Sequence, residues 1–224
     1  MSIPRILHQV WVGPPMPEHL AQYSASWRML HPDWEYRLWR EDDLRWLRHQ
    51  DLFDRAAELS PRNVGQFASN IARLEILLQH GGVYIDSDME PLKPIDPLTD
   101  VDAFTAWHPR AEGYDDRTFI TNALMGAVPG HSVFASLVDG IAESVAKNAG
   151  LRSVFTTGVR YMTARLKAEG LMDAWTVYPA RYFYPYGTDE LDRYGRLAGA
   201  AFGDSYAVHR WHNRTSGNWA GRAA

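Results

Sequence analysis

The chain has 224 residues, 46% hydrophobic and 22% charged, an ordinary globular balance with length enough for one sizeable core. Its formal net charge of −4 and its scattered arginines exclude a general nucleic-acid binder, which carries a basic excess. It has no cysteine, so disulfides and cysteine-ligated zinc are excluded. From the N-terminus, "RILHQVWV" (5–12) is rich in β-branched and aromatic residues and ends at "GPPMP", which predicts a buried strand closed by a turn. The opening stretch shows no basic leader or cleavage site, and no run approaches the ~18 apolar residues of a membrane span. A cytoplasmic protein with no integral membrane segment is expected.

Residues 17–32 have helical spacing and stop at Pro32. "WEYRLWR" (34–40) alternates as a strand does. Short helices are predicted in 41–50 and 52–59, with acidic residues in the first turn, where the helix dipole favours them. The strongest helix is 63–82. Phe67, Ile71, Leu74 and Leu78 fall on one buried face, and Gly81 and Gly82 supply the left-handed stop. "VYID" then begins a strand. Further strands are expected in 103–108, 121–128, 175–179 and 206–211, and helices in 131–147 and 158–169. Loops are expected at 109–118 and 185–204. Alternating strands and helices predict an α/β fold, a mixed central sheet flanked by helices, in a single domain over 1–224.

The chemistry concentrates in "GGVYIDSDME" (81–90). In a continuous strand Asp86 and Asp88 share a face and Ser87 points away. Two like charges so close call for a cation, a proton or strong donors between them. A hard divalent ion, Mg²⁺ or Mn²⁺, is the simplest partner, because it takes carboxylates together with substrate phosphates. The bland alternative is that both aspartates cap a turn. Upstream, Asn70 and Arg73 are three apart and share a face with Gln66 and Leu77, rotated from the apolar stripe. That face would line a pocket with the carboxylates. Otherwise Arg73 is a solvated arginine or a partner of Glu75 or Asp86.

Three segments together carry a resemblance: "IPRILHQVWVG" (3–13), "FASNIARLEILLQHGGVYIDSDMEPLKPI" (67–95) and "YAVHRWHNRTSGNW" (206–219). They resemble the DXD-motif sugar-transferase family. Its members include glycosyltransferase family 32-like enzymes, initiating α-mannosyltransferases, capsular polysaccharide transferases and the catalytic domains of clostridial glucosylating toxins. The resemblance implies a GT-A-type, Rossmann-like fold. It also implies a retaining transfer of a hexose from a UDP- or GDP-sugar to a glycan, lipid or protein acceptor. By position, Trp11 would lie at the nucleobase, and Ser69, Asn70 and Arg73 at the donor sugar and ribose. Asp86 would reach the ribose and sugar, and Asp88 would be the principal metal ligand, with Mn²⁺ or Mg²⁺ as cofactor. His209 would complete the metal shell or meet the phosphate. Asn122 would approach the sugar, and Trp219 of the tail the donor. His212 reads as a surface histidine. The family usually has aspartate where this chain has Asn70, and "SGNW" stands where the family has Ser-Trp.

Two other readings are open at this stage. One is a Mg²⁺-dependent phosphatase-like hydrolase, which also places Asp-x-Asp after an apolar strand. The other is a non-catalytic sugar-nucleotide or carbohydrate-binding protein, which Asn70 favours.

Overall fold

The computed structural model describes residues 2–109, 119–195 and 197–212. Along the chain run β1 (Ile6–Val10), α1 (Glu18–Leu30), β2 (Glu35–Trp39), α2 (Gln50–Asp54), α3 (Ala56–Leu59) and α4 (Val64–His80). Then come β3 (Gly82–Ile85), β4 (Met89–Pro91), β5 (Ala103–Ala106), β6 (Leu124–Ala127), α5 (Ser132–Asp139) and α6 (Ile141–Lys147). The last are α7 (Ser153–Thr156), α8 (Val159–Ala168), β7 (Thr176–Tyr178), α9 (Leu191–Tyr194) and β8 (Ala207–His209).

Six strands form one sheet in the order β2-β1-β3-β6-β5-β7. β6 runs antiparallel to both its neighbours, and the other pairings are parallel. The sheet is therefore mixed, as the alternating pattern predicts. Side chains alternate between its faces. Tyr84 and Met125 enter an apolar cluster with Phe67, Ile71 and Leu74 of α4 and Phe134 of α5. Val83, Ile85, Leu124 and Phe104 enter a second cluster with Trp27 of α1 and Met89, Phe183 and Ala207. Both faces are thus covered, which is why β3 is buried at every position.

α4 ends where its glycines require. Gly81 has φ +63 and Gly82 φ +84, and a Cβ on Gly82 would stand 2.7 Å from the Ile6 carbonyl and 2.8 Å from His8 Nε2. The turn out of α4 therefore packs directly on β1 and delivers β3 beside it.

Several expectations need correction. The helix expected over 131–147 is two helices, because the chain bends at Gly140. A Cβ there would sit 2.7 Å from the Tyr161 hydroxyl, so α8 approaches this backbone closely. The helix expected over 52–59 breaks at Arg55 between α2 and α3, and in 41–50 the first turn is a 3₁₀ helix at Glu41–Leu44. The stretch 206–211 is not in the main sheet. β8 pairs antiparallel with β4, for which no element was expected, in a separate two-stranded sheet. The loop expected at 185–204 carries α9 and short 3₁₀ turns, and most of that expected at 109–118 lies outside the described residues. Among the described residues, no helix is long and apolar enough to cross a membrane.

Candidate active site

Asp86 and Asp88 do not continue β3. The strand ends at Ile85, and the Met89 amide donates back to the Asp86 carbonyl at 3.1 Å, closing a tight turn. The two carboxylates converge because of that turn, not because of the period-two alternation of a strand. Asp86 follows β3 closely, its amide held by the Ala123 carbonyl at 2.7 Å. Asp88 is held from the other side. Its Oδ2 accepts the His212 backbone N–H at 2.9 Å, and its Oδ1 lies 3.1 Å from His209 Nε2. The β4–β8 register places Met89 opposite His209, which is how a residue 121 positions later reaches the turn. Asp86, Asp88 and His209 each offer a ligand atom, all within 4.8 Å of one another.

Arg73 faces this group from α4. Its Nη2 lies 3.1 Å from Asp86 Oδ1, and the Tyr84 hydroxyl donates to the same oxygen at 2.9 Å. Arg73 also donates from Nε to the Ser69 carbonyl (3.0 Å), from Nη2 to Ser69 Oγ (3.0 Å) and from Nη1 to the Asn122 carbonyl (2.5 Å). Its guanidinium lies over the Tyr84 ring, 4.4 Å from the centroid. The side chain is only 3% exposed, so its position is fixed. Of the two partners foreseen for it, Asp86 is the one it takes. Glu75 instead accepts the Arg48 and His49 amides.

The charges settle accordingly. Burial pushes the Asp86 carboxyl up, opposed by Arg73 and reinforced by Asp88. At Asp88 burial acts upward too, but His209 and the His212 amide outweigh it and hold the group at about 2. Burial would lower His209, yet Asp88 wins and its pKa is raised. The contacts of Asp88 with His209 and of Asp86 with Arg73 are thus what offset the paired carboxylates in this structure.

Asn70 is buried at the foot of the same pocket. Its Oδ1 accepts from Asn122 Nδ2 at 3.0 Å, and its Nδ2 donates to Thr157 Oγ1 at 3.2 Å. Both ends of the amide are engaged, so Asn70 fixes Asn122 and the α7–α8 junction. Trp11 stands just beyond β1, its indole N–H donating to the Pro14 carbonyl at 2.6 Å. Trp11, Ser69, Asn70, Arg73, Asp86, Asp88, Asn122 and His209 all line one cavity of about 670 Å³. His212, expected at the surface, is half-buried and also lines it, with its ring 3.2 Å from that of His19. Trp219 lies outside the described residues.

The sequence reading missed Trp211 and Tyr84. Trp211 has φ +52, a conformation that costs a non-glycine residue ~1–2 kcal/mol, and its ring packs on His209 with centroids 4.1 Å apart. Only the pairing of β4 with β8 reveals that contact. Tyr84 was within reach, since it precedes Asp86 by two and so shares its face.

A mixed sheet flanked by helices, with a two-aspartate turn at the end of its central strand β3, defines a GT-A-type fold. The comparisons agree. Residues 17–105 match the family described as "Glycosyltransferase sugar-binding region containing DXD motif". Inositol phosphoceramide mannosyltransferase 3 of Schizosaccharomyces pombe is 26% identical over 218 residues, 96% of this chain and 58% of that protein. Among solved structures, the PaToxG glycosyltransferase superposes with a TM-score of 0.60 at 16% identity, covering 75% of this chain and 70% of that one. The UDP-bound glycosyltransferase domain of the YGT toxin gives 0.56 at 12% identity, covering 84% and 82%. The chain is thus similar to the DXD-motif sugar transferases, most directly over residues 17–105, and it spans less than two thirds of the length of the first curated relatives it matches.

Proposed function

We propose that the protein is a nucleotide-sugar-dependent glycosyltransferase that moves a hexose to an acceptor hydroxyl with retention at the anomeric carbon. The observation that carries this is the convergence of Asp86, Asp88 and His209, faced by Arg73, in a cavity large enough for a nucleotide sugar. Two carboxylates and one imidazole suit Mn²⁺ or Mg²⁺, and like-charged carboxylates so close gain most from such an ion. Asp88, Asp86 and His209 would hold it. When bound, it would neutralise charge on the diphosphate of the donor.

The chain's own residues do the rest. Arg73, locked by Ser69, Asn122 and Asp86, places a fixed positive charge beside the diphosphate as the glycosidic bond breaks. Asn122, oriented by Asn70, would meet the donor sugar. Trp11 offers an aromatic face to the base. The acceptor oxygen bonds to the anomeric carbon as the bond from that carbon to the phosphate oxygen breaks. The acceptor proton passes to the departing diphosphate. Among the described residues lining the cavity, the only carboxylates are Asp86 and Asp88, both already tied to cationic partners.

The named mannosyltransferase relative makes mannose the first sugar to test, and the UDP-bound fold relative keeps uridine donors in play. The experiment is a panel of UDP- and GDP-hexoses with Mn²⁺ or EDTA, read as nucleoside diphosphate release. Metal-dependent release from one donor supports the reading. A protein that instead dephosphorylates simple phosphate esters and ignores every donor is a hydrolase of the Asp-x-Asp kind. One that binds a donor but never cleaves it is the binding protein that Asn70 would suit.

A further inference from the structure

The main sheet ends at β2. Among the described residues, no strand lies beyond it. The Glu35 amide donates to the Arg5 carbonyl and the Trp39 carbonyl accepts from the Trp11 amide, so the backbone of Glu35, Arg37 and Trp39 faces β1. The N–H and C=O groups of Tyr36 and Leu38, at the alternate positions, therefore point out of the sheet. An open row of this kind is a template for another strand, and proteins commonly guard it with charge. Here the guard is of mixed sign. Glu35 and Arg37 share one face, Oε1 to Nε at 2.5 Å, and their side chains are 52% and 36% exposed. Such a pair does not repel a second copy of the same strand.

The opposite face is apolar. Trp34, just before the strand, alternates there with Tyr36 and Leu38. Trp34 and Tyr36 line a groove of about 510 Å³ together with Arg28, Met29 and His31 at the end of α1. Met29 is 74% exposed and Leu38 38%. Two large apolar side chains are thus left in solvent beside the open edge.

One register of self-pairing satisfies both faces. With Tyr36 opposite the partner's Tyr36, each strand donates and accepts through its outward-facing groups. Glu35 then stands opposite the partner's Arg37, and Arg37 opposite the partner's Glu35. Leu38 stands opposite the partner's Trp34, on the face that carries the groove and Met29. Sliding one strand by two residues sets Glu35 against the partner's Glu35, or Arg37 against the partner's Arg37, and like charges directly opposite disfavour pairing.

We propose that β2 is the interface of a two-fold symmetric homodimer, in which it pairs antiparallel with β2 of a second copy and joins the two main sheets into one. This goes beyond the transferase reading and does not depend on it. The two-fold axis stands normal to the sheet, so the two cavities, each beyond the ends of β1 and β3, lie at opposite ends of the joined sheet and both stay open.

The test is sedimentation equilibrium of the full chain and of Arg37→Glu, Glu35→Arg, the double reversal Glu35→Arg/Arg37→Glu, and Leu38→Lys. All change exposed side chains, and circular dichroism checks that each variant keeps the wild-type fold. The wild type is expected to dimerise. Each single reversal sets like charges opposite each other twice and is expected to weaken dimerisation by roughly tenfold. Leu38→Lys, which removes an apolar contact without altering the charged pair, is expected to weaken it as well and stands in for any reversal that fails to fold. The double reversal restores opposite charges and is expected to dimerise as the wild type does. An equimolar mixture of the two single reversals is expected to dimerise too, because each supplies the charge the other lacks. A nonspecific apolar association would show neither recovery. A monomeric wild type, single variants that dimerise as tightly as the wild type, or a double reversal and a mixture that stay monomeric each overturn the proposal.

Discussion

Arg73 and Asp86 form a buried ion pair, Nη2 to Oδ1 at 3.1 Å, that ties the strongest helix of the chain to the end of its central strand. Removing one partner leaves the other's charge uncompensated in a site with little solvent. Arg73→Met is expected to destabilise the protein by about 2–4 kcal/mol, less than a fully buried pair would give because Asp86 is 25% exposed. The double variant Arg73→Met/Asp86→Asn is expected to recover part of that loss. Urea unfolding of the two variants and the wild type measures both effects.

The bonds made by Asn70 give a second expectation. Asn70→Ala strips Asn122 Nδ2 and Thr157 Oγ1 of a partner and is expected to cost about 1–3 kcal/mol while lowering turnover. Asn70→Asp keeps an acceptor for Asn122 and lets the Thr157 hydroxyl donate in its turn, so folding is expected to survive. The change then shows in donor preference or turnover alone. Thermal melts and the donor panel separate these outcomes.

Much of this arrangement was legible because it is local. The spacing of Phe67, Ile71 and Leu74 gave the buried face of α4, and Gln66, Asn70 and Arg73 do share the pocket-lining face. Gly81 and Gly82 marked the turn into β3. What could not be seen is non-local. β4 and β8 have three residues each, too few for a periodic signal, yet their pairing carries His209 and Trp211 to Asp88. The tight turn at Asp86–Met89 was visible only as the alternative to a continuous strand, since apolar residues on both sides let the strand pattern run through it.

Gly82 offers a check on the fold itself. Its φ of +84 and the 2.7 Å approach of the Ile6 carbonyl leave no room for a Cβ. Gly82→Ala is expected to destabilise by about 2–3 kcal/mol. Gly170, with φ +68 and no atom within 4 Å of an added Cβ, is expected to lose about 1 kcal/mol when changed to alanine. Chemical denaturation of the two variants tests the difference.

Acid sensitivity follows from His8. Its ring is fully buried between the Gly81 carbonyl, 3.0 Å from Nε2, and the Trp39 indole N–H, which donates to Nδ1 at 3.1 Å. That pairing needs the neutral ring, and burial lowers the pKa from 6.5 to about 4. The unfolded chain therefore takes up the proton first as pH falls. Stability is intact above pH 6.5 and declines between 6.5 and about 4, by ~3 kcal/mol from this residue. Burial lowers His31, His80 and His131 as well, which steepens the decline. Urea midpoints at pH 7 and pH 4.5 test this, and His8→Gln is expected to flatten the slope.

The most direct test of the central claim is a Mn²⁺ titration, followed by electron paramagnetic resonance, of wild type and Asp88→Asn in the presence of UDP or GDP. Asp88, His209 and Asp86 are positioned to hold one ion against a diphosphate. The wild type is predicted to bind one Mn²⁺ more tightly with nucleoside diphosphate than without, and Asp88→Asn to lose that binding while keeping its fold. Equal Mn²⁺ binding by the variant, or no effect of either nucleotide on the wild type, would contradict the account.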